Sequence, residues 1–354
     1  MNDMQDINRR KFIQQAAMAT AALTLPSFTI AGKKAKMGIV VHSYGFRWNS
    51  KTPSAKYPGF ASAIDLLQHS ADLGAAGIQV MVNDWSTDFA KKVRDRREEL
   101  GLYLEGSISM PATRGDVGNF EQTVVNAKEA GATILRTVTS KGRRYESYHS
   151  SAEVDDFKKK AVESIQWVEP ILKKHKVKLA VENHKDWTAP ELAGAMKQIS
   201  SEWVGVTLDF GNSVALSERP MSFVEQLVPY VVSTHVKDMS VEEYEKGFLL
   251  SEVPLGKGFI DLEKIFALCV KNNPNVNFSL EMITRDPLEI PVKTKEYKAV
   301  VPEQGTMNLA EVKALSKKQS MPPPHVSHLD AEGKLAIEET NIVESLEYSK
   351  DKLK

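Results

Sequence analysis

Eight short apolar runs alternate with longer amphipathic stretches, and this alternation limits the fold more than any other feature of the chain. The runs are "MGIVVHSY" (37–44), "GIQVMV" (77–82), "LYLEGSI" (102–108), "ILRTVT" (134–139), "KLAVENH" (178–184), "GVTLDFG" (205–211), "VVSTHVKD" (231–238) and "NFSLEMI" (277–283). The stretches between them, such as "FASAIDLLQHSADLG" and "DLEKIFALCVKNN", carry apolar residues at three- and four-residue spacing, which predicts helices. Nearly uniform apolar strands separated by helices are typical of a parallel sheet covered by helices.

Eight βα units predict a closed (β/α)8 barrel, that is, a TIM barrel. The units span residues 36–290, about 255 residues, and a barrel of this kind takes about 250. A doubly wound open sheet is the alternative fold. No G-x-G-x-x-G motif follows the first run, however, which removes the main support for a dinucleotide-binding fold.

The chain beyond the eighth run has a different composition. Residues 285–335 are rich in Pro, Lys and other polar residues and have weak periodicity, whereas residues 336–354 show the apolar spacing of a helix. We therefore predict one barrel domain over residues 34–354, with a long loop (285–335) between strand eight and the last helix (336–354). Such loops in compact domains are usually functional or disordered.

The N-terminus resembles a bacterial twin-arginine export signal. In "NRRKFIQQAAMATAALTLPSF", the pair Arg9 and Arg10 precedes an apolar run of mostly small residues from Ala16 to Leu25. This run is too short for an ordinary membrane span, and the alternative is an amphipathic N-terminal helix. We predict that residues 1–33 are an export signal, and that the mature protein is periplasmic and has no membrane span.

Composition argues against two classes of partner. Lys and Arg number 46, as do Asp and Glu, so the net charge is zero. A neutral chain has no overall attraction to nucleic acid or acidic membranes, and we predict neither as a partner. Cys269 is the one cysteine of the sequence, so no internal disulfide can form.

Four potential metal ligands lie at the ends of the last four predicted strands. They are Glu182 in "AVENH", Asp209 in "TLDFGN", His235 in "STHVKD" and Glu281 in "SLEMI". The carboxyl ends of barrel strands converge on one face, with adjacent strands about 4.8 Å apart. Because three buried carboxylates repel one another without a cation, the pattern predicts one divalent ion, Mn²⁺, Mg²⁺, Co²⁺ or Zn²⁺. For each residue alone, a solvated or helix-capping role is the alternative.

These motifs resemble the xylose isomerase-like TIM-barrel superfamily, in particular its sugar phosphate isomerase/epimerase branch. The resemblance rests on the spacing of the four residues, on "ENH", "DFGN" and "HVKD" after strands five to seven, and on "VPLGKGFIDLEKIF" (253–266). It implies a single divalent metal ion on these residues, with Glu182 and Glu281 as an acid/base pair that moves a proton on carbon. The alternative is that both carboxylates are ligands only.

The sequence also departs from the members of this branch that resemble tagatose epimerase. Those members carry a His three residues after the strand-six Asp, where this chain has Asn212. They carry an Arg six residues after the strand-seven His, where this chain has Val241, and Lys237 lies nearer to that His. The identity of the substrate therefore cannot be transferred from the resemblance.

Further polar residues near the strand ends are candidate substrate contacts: His184, Lys237, Asn212, Arg136, Glu105 and His42. His184 lies two residues after Glu182, on the same face of a strand, and is expected to bind a sugar hydroxyl or to act as a base. Lys237 is expected to polarise a carbonyl or hold a hydroxyl. The alternatives are a surface position for His184, a salt bridge for Lys237 and structural ion pairs for the residues inside the barrel.

Three functions follow from this reading. The first is metal-dependent isomerisation or epimerisation of a sugar by proton abstraction next to a carbonyl. The second is a 3-oxo-glycoside lyase, which starts with the same deprotonation and continues by β-elimination; the third is non-catalytic sugar binding. Because phosphorylated sugars are cytoplasmic, export favours a free sugar or glycoside as the small-molecule substrate. The loop at 285–335 is expected to cover the site as a lid or to contact a second copy in a homo-oligomer, and the sequence leaves both open.

Overall fold

The structure is a computed structural model that describes residues 37–353, except residues 49, 141, 304 and 305. The predicted export signal at residues 1–33 lies outside this part of the chain. None of the described helices combines the length and the apolarity needed to cross a bilayer.

Eight parallel strands form a closed barrel in the order β1-β10-β7-β6-β5-β4-β3-β2, which confirms the predicted fold. They are β1 (Met37–Val40), β2 (Gly77–Met81), β3 (Tyr103–Ser107), β4 (Ile134–Thr137), β5 (Lys178–Glu182), β6 (Val204–Asp209), β7 (Val231–Val236) and β10 (Phe278–Leu280). Each coincides with one of the apolar runs. Nearly all of their residues are buried, because the barrel interior covers one face of each strand and the helices cover the other.

The helices follow the strands as the periodicity predicts. They are α1 (Ala63–Asp72), α2 (Thr87–Leu100), α3 (Val117–Glu129), α4 (Arg144–Ser147), α5 (Ser151–His175), α6 (Ala189–Ile199), α7 (Pro220–Leu227), α8 (Leu262–Asn272), α9 (Lys295–Val300), α10 (Leu309–Ser316) and α11 (Ala331–Lys352). Their ends are set locally: the Asp261 side chain accepts a hydrogen bond from Lys264 N at the start of α8, as an N-cap does.

A three-stranded antiparallel sheet is an addition to the barrel that the sequence did not predict. It consists of β8 (Asp238–Tyr244), β9 (Gly247–Val253) and β11 (Leu288–Ile290), in the order β11-β9-β8. The hairpin β8–β9 occupies the extra length between His235 and α8. Its strands mix charged and apolar residues, so they lack the uniform apolar signal by which the barrel strands were recognised.

The long connection between β10 and the last helix is present, but the expectation of an irregular loop over 285–335 needs correction. This segment contains β11, α9 and α10, which are three, six and eight residues long. Elements this short show no clear period. The last helix begins at Ala331 rather than residue 336, because the Asp330 side chain accepts a hydrogen bond from Gly333 N at its N-cap.

Tyr103 closes the amino-terminal end of the barrel. Its ring lies over Gly77, and its hydroxyl accepts a hydrogen bond from Gly38 N (3.1 Å) and donates one to Phe278 O (2.9 Å). One side chain thereby connects strands β1, β2, β3 and β10. A Cβ atom added at Gly77 would lie 2.3 Å from Cγ of Tyr103, so glycine is required there by space.

We predict that Gly77→Ala destabilises the fold by about 1–3 kcal/mol, as overpacking of a tight core does. Urea unfolding followed by circular dichroism measures the change. The matched control is Gly194→Ala within α6, where an added Cβ meets nothing within 4 Å. This control should stabilise by up to about 1 kcal/mol, because alanine is the better helix former. Equal stability of the two variants would contradict the packing argument.

Candidate metal centre

Four side chains from neighbouring strands meet at the carboxyl-terminal end of the barrel. Glu182 ends β5, Asp209 ends β6, His235 lies next to the last residue of β7, and Glu281 directly follows β10. These four strands are consecutive in the barrel. Ligand atoms of the four residues all lie within 4.8 Å of one another, so the residues expected to hold one ion are grouped so that they can do so.

Nδ1 of His235 is the point on which the carboxylates converge. It lies 3.5 Å from Glu182 Oε2, 3.8 Å from Asp209 Oδ2 and 3.4 Å from Glu281 Oε2. All four side chains are buried; Glu281, the most exposed, is 3% accessible. His235 Nδ1 is buried and has no hydrogen-bond partner among the described residues. A buried nitrogen without a partner that faces three carboxylates fits a cation placed between them.

The protonation of His235 is set from the other side of its ring. Nε2 lies 2.7 Å from Oε1 of Gln79, and the Gln79 amide nitrogen donates to Glu105 Oε2 (3.1 Å). Because a carboxylate only accepts, the Gln79 oxygen must face the histidine, and Nε2 must carry the hydrogen. The lone pair of neutral His235 is then on Nδ1, toward the carboxylates, where a metal ion binds.

The same atom requires positive charge even without an ion. Burial by itself would lower the pKa of His235, but the carboxylates of Glu281 and Glu182 outweigh burial and raise this pKa to about 9. At neutral pH a proton on Nδ1 therefore takes the place that a divalent cation would occupy. The donor set of three carboxylate oxygens and one imidazole nitrogen matches what Mn²⁺, Mg²⁺, Co²⁺ and Zn²⁺ accept.

Two buried cations keep the carboxylates of Glu182 and Glu281 ionised. Arg136 pairs with Glu182, and Lys237 Nζ lies 2.6 Å from Glu281 Oε2 and 3.0 Å from Asp209 Oδ2. Burial opposes ionisation of Glu182, but Arg136 and His235 hold its pKa well below the ordinary value. Lys237 and His235 do the same for Glu281. Both carboxylates are thus available as anionic ligands.

Asn212 connects the ligands with a pair of lysines. Its side-chain amide donates to Glu182 Oε1 (2.8 Å), and its backbone N–H donates to Asp209 Oδ1 (2.7 Å). Its amide oxygen accepts from Lys237 Nζ (3.2 Å) and from Lys185 Nζ. Asn212 therefore orients two ligands and faces two ammonium groups.

The two other predicted histidines lie close to the centre. His42 follows β1 in a 3-10 helix (Val41–Tyr44), and burial lowers its pKa although the Glu281 carboxylate opposes this. His184 follows β5, and burial lowers its pKa to about 3. Both rings are therefore neutral near pH 7 and can donate one hydrogen bond and accept another. The Nδ1 atom of His184 is buried and has no partner within the described chain.

Glu105 occupies a different place from the one that its expected substrate role requires. Its carboxylate accepts hydrogen bonds from Ser233 (2.5 Å), Asn277 (2.9 Å) and Gln79 (3.1 Å) inside the barrel. Those contacts separate Glu105 from the potential ligand His235 by one side chain, that of Gln79. The arrangement favours a supporting role for Glu105, which positions Gln79, over a direct substrate contact.

Four residues of the site escaped the sequence analysis: Gln79, Lys185, Glu252 and Arg285. Gln79 is a polar residue in the middle of an apolar strand, a signal that the sequence offered. Glu252 lies on β9 and accepts hydrogen bonds from Arg285 (2.7 Å), with Lys237 Nζ at 3.5 Å. It reaches the site only because the unexpected hairpin folds over this end of the barrel.

Comparison with known proteins identifies the family. The family model described as xylose isomerase-like TIM barrel matches residues 67–301. The chain therefore belongs to the xylose isomerase-like TIM-barrel family, as the motifs predicted.

Three individual proteins show what this chain is similar to. The 3-oxo-isoapionate decarboxylase of Pectobacterium atrosepticum is 25% identical over 251 residues, which cover 69% of this chain and 85% of that protein. A D-psicose 3-epimerase structure, solved in the presence of D-fructose, aligns with a TM-score of 0.55 at 16% identity and covers 87% of this chain and 99% of that one. A xylose isomerase-like protein of Mycobacterium smegmatis in complex with magnesium aligns with a TM-score of 0.52 at 18% identity. This alignment covers 80% of this chain and 97% of that one.

We predict that a divalent ion stabilises the folded protein by relieving the repulsion among its carboxylates. At a free Mn²⁺ concentration about 100 times the dissociation constant, the gain is about 2.7 kcal/mol, measured as a rise in melting temperature that EDTA reverses. Asp209→Asn should lose most of this rise. Asp72→Asn, an exposed aspartate at the end of α1, should keep it, and an equal rise in both variants would count against the centre.

We predict that Gln79→Leu weakens metal binding by roughly 10- to 100-fold, the usual effect of removing the partner that orients a histidine ligand. Calorimetric titration with Mn²⁺ gives the affinity, and circular dichroism checks the fold. Gln226→Leu, at an exposed position on α7, is the control. An unchanged affinity in Gln79→Leu would show that the hydrogen bond to His235 has no part in binding the ion.

Proposed function

We propose that the protein is a divalent-metal-dependent enzyme that isomerises or epimerises a non-phosphorylated sugar or sugar derivative by moving a proton next to a carbonyl group. The observation that carries the proposal is the buried cluster of Glu182, Asp209, His235 and Glu281 with its shared focus at His235 Nδ1. The family and its epimerase-like neighbours support the reaction class. The D-psicose 3-epimerase structure supports a ketose-like substrate.

The cluster would hold one divalent ion, which supplies Lewis-acid stabilisation to a substrate oxygen that becomes negative. Manganese, magnesium, cobalt and zinc all suit its ligands, and the relative in complex with magnesium supports a hard cation.

Glu182 and Glu281 are the proposed acid/base pair. Each is ionised and lies against a cation, Glu182 against Arg136 and Glu281 against Lys237. One carboxylate would accept the proton from carbon, and the other would take up a proton from solvent and deliver it to the product. The paired cations hold each carboxylate in place and stabilise its charged form before the reaction.

The neutral rings of His42 and His184 are the proposed contacts for sugar hydroxyls, because a neutral imidazole offers both a donor and an acceptor. Lys237 and Asn212 would hold a carbonyl or hydroxyl oxygen of the substrate. Arg136, which lies beside Glu182, is a further proposed substrate contact. We propose a periplasmic location with a free sugar or glycoside as substrate, since the N-terminal motif is the support for export.

A lyase that uses the same metal and the same enolisation is the second candidate. The relative named 3-oxo-isoapionate decarboxylase supports it, since its name describes cleavage at an oxo acid. A 3-oxo-glycoside would lose its leaving group by β-elimination after the proton is removed. Both candidates require the same first step and therefore the same residues.

The first step is tested by incubating the metal-loaded protein in D₂O with free ketoses and with 3-oxo-glycosides. We expect deuterium on carbon; exchange without loss of any group from the sugar identifies an epimerase or isomerase, and a released aglycone identifies a lyase. Glu182→Gln should lower turnover by about 10²–10⁴-fold while the sugar still binds. The exposed Glu202→Gln is the control. Absence of exchange with every substrate class would overturn the proposed chemistry.

A further inference from the structure

Lys185 is a buried lysine that forms no ion pair with the described residues. Lys185 is 4% exposed, and its Nζ atom donates a hydrogen bond to the neutral amide oxygen of Asn212. No carboxylate of the described residues lies within ion-pair distance of this Nζ. Lys237, by contrast, lies within 3.5 Å of carboxylate oxygens of three residues. An ammonium that is buried without an anion is costly, and proteins usually avoid it.

The neighbouring charges increase this cost. Burial, then the positive charges of Lys237 and Arg285, lowers the pKa of Lys185 to about 7. Those two cations are already matched: Lys237 pairs with Asp209 and Glu281, and Arg285 pairs with Glu252. The carboxylates of Asp209, Glu281 and Glu252 are thus engaged by other cations, and none of them pairs with the amine of Lys185.

The backbone at this position is also unusual. Lys185 has a φ of 70°, in the left-handed region that residues with a Cβ rarely adopt. The conformation is held by Arg144 N–H, which donates to Lys185 O (2.9 Å), and by Asp186, which accepts from His184 N (3.0 Å) and Trp187 N (2.9 Å). Strained residues that the surroundings hold in place are concentrated at functional sites. The Nδ1 atom of the preceding His184 is a second buried polar group, and it has no hydrogen-bond partner among the described residues.

We propose that Lys185 binds a carboxylate of the substrate, so that the natural substrate is a keto-sugar acid rather than a neutral sugar. This inference rests on the proposed function, because it places the ligand in the same site. Asn212 links the two parts: it contacts Lys185 through its amide oxygen and the metal ligand Glu182 through its amide nitrogen. One side chain thus separates the amine of Lys185 from the metal ligand Glu182.

One ammonium that pairs with no carboxylate of the described residues matches a ligand group of one negative charge. A phosphate carries nearly two charges and is usually held by several cations or by the backbone N–H groups of a helix N-terminus. Within the described chain, the other cations around Lys185 are paired with carboxylates. A carboxylate completes the charge of Lys185 without requiring a second free cation.

The test compares two ligands that differ at one carbon. 2-Keto-D-gluconate carries a carboxylate where D-fructose carries a hydroxymethyl group, and the rest of the chain is the same. With the full-length protein in saturating Mg²⁺, calorimetry should show the acid binding at least tenfold more tightly than D-fructose. Lys185→Gln should remove this preference and leave the affinity for D-fructose unchanged.

Lys176→Gln is the matched control. Lys176 also has a positive φ (53°) but is exposed at the end of α5, so this variant should keep the tenfold preference. Binding of D-fructose 1-phosphate more tightly than the acid would overturn the carboxylate in favour of a phosphate. Failure of the acid to bind more tightly than D-fructose, including failure of both to bind, would also overturn the proposal.

A second measurement needs no ligand. Lys185→Met should leave the melting temperature unchanged or raise it, because it removes an unmatched buried charge, whereas Lys237→Met should lower it by leaving carboxylates unpaired. A loss in Lys185→Met as large as that in Lys237→Met would show that Lys185 is structural. Both measurements report binding or stability, so they stand apart from the deuterium exchange that tests the proposed chemistry.

Discussion

The repulsion among three buried carboxylates is the constraint on which the rest of this site depends. Glu182, Asp209 and Glu281 all face Nδ1 of His235 at 3.4–3.8 Å. Such a group is stable only when positive charge is supplied, and the structure supplies it from the side through Arg136 and Lys237. The centre itself is left for a proton on His235 or for a divalent ion. A site that requires a cation in this way is suited to stabilise negative charge on a bound substrate.

The barrel and its additions divide the work. The closed sheet brings the ends of four consecutive strands together, and its interior carries the hydrogen bonds from Glu105 through Gln79 to His235 that fix the histidine. The antiparallel sheet is an addition to the eight barrel strands. It brings Glu252 to Arg285 and Lys237, and so it decides which cations near the ion are neutralised. The charges around the four potential ligands therefore depend on elements outside the barrel strands as well as on the strands themselves.

Much of the fold and part of the site could be predicted, because their signals are local and repeated. Eight apolar runs separated by helical periods indicate a barrel, and a polar residue at the end of each of the last four runs indicates a ligand cluster. Gln79 and Glu105 lie on β2 and β3 but act on His235 of β7, so no spacing along the chain connects them. The segment 285–335 was misjudged in part, since its short strand and helices are held by tertiary contacts and have no period of their own.

The amino-acid sequence by itself determined the barrel, the order of its strands and the four residues that meet at their ends, because parallel strands must present their carboxyl ends on one face. Only the tertiary structure decided which charges are paired. Lys185 and Lys237 look alike in the sequence, yet Lys237 contacts carboxylates whereas Lys185 contacts a neutral amide. That difference arises from distances of a few ångströms between strands and a hairpin far apart in the chain, where burial makes each unmatched charge costly.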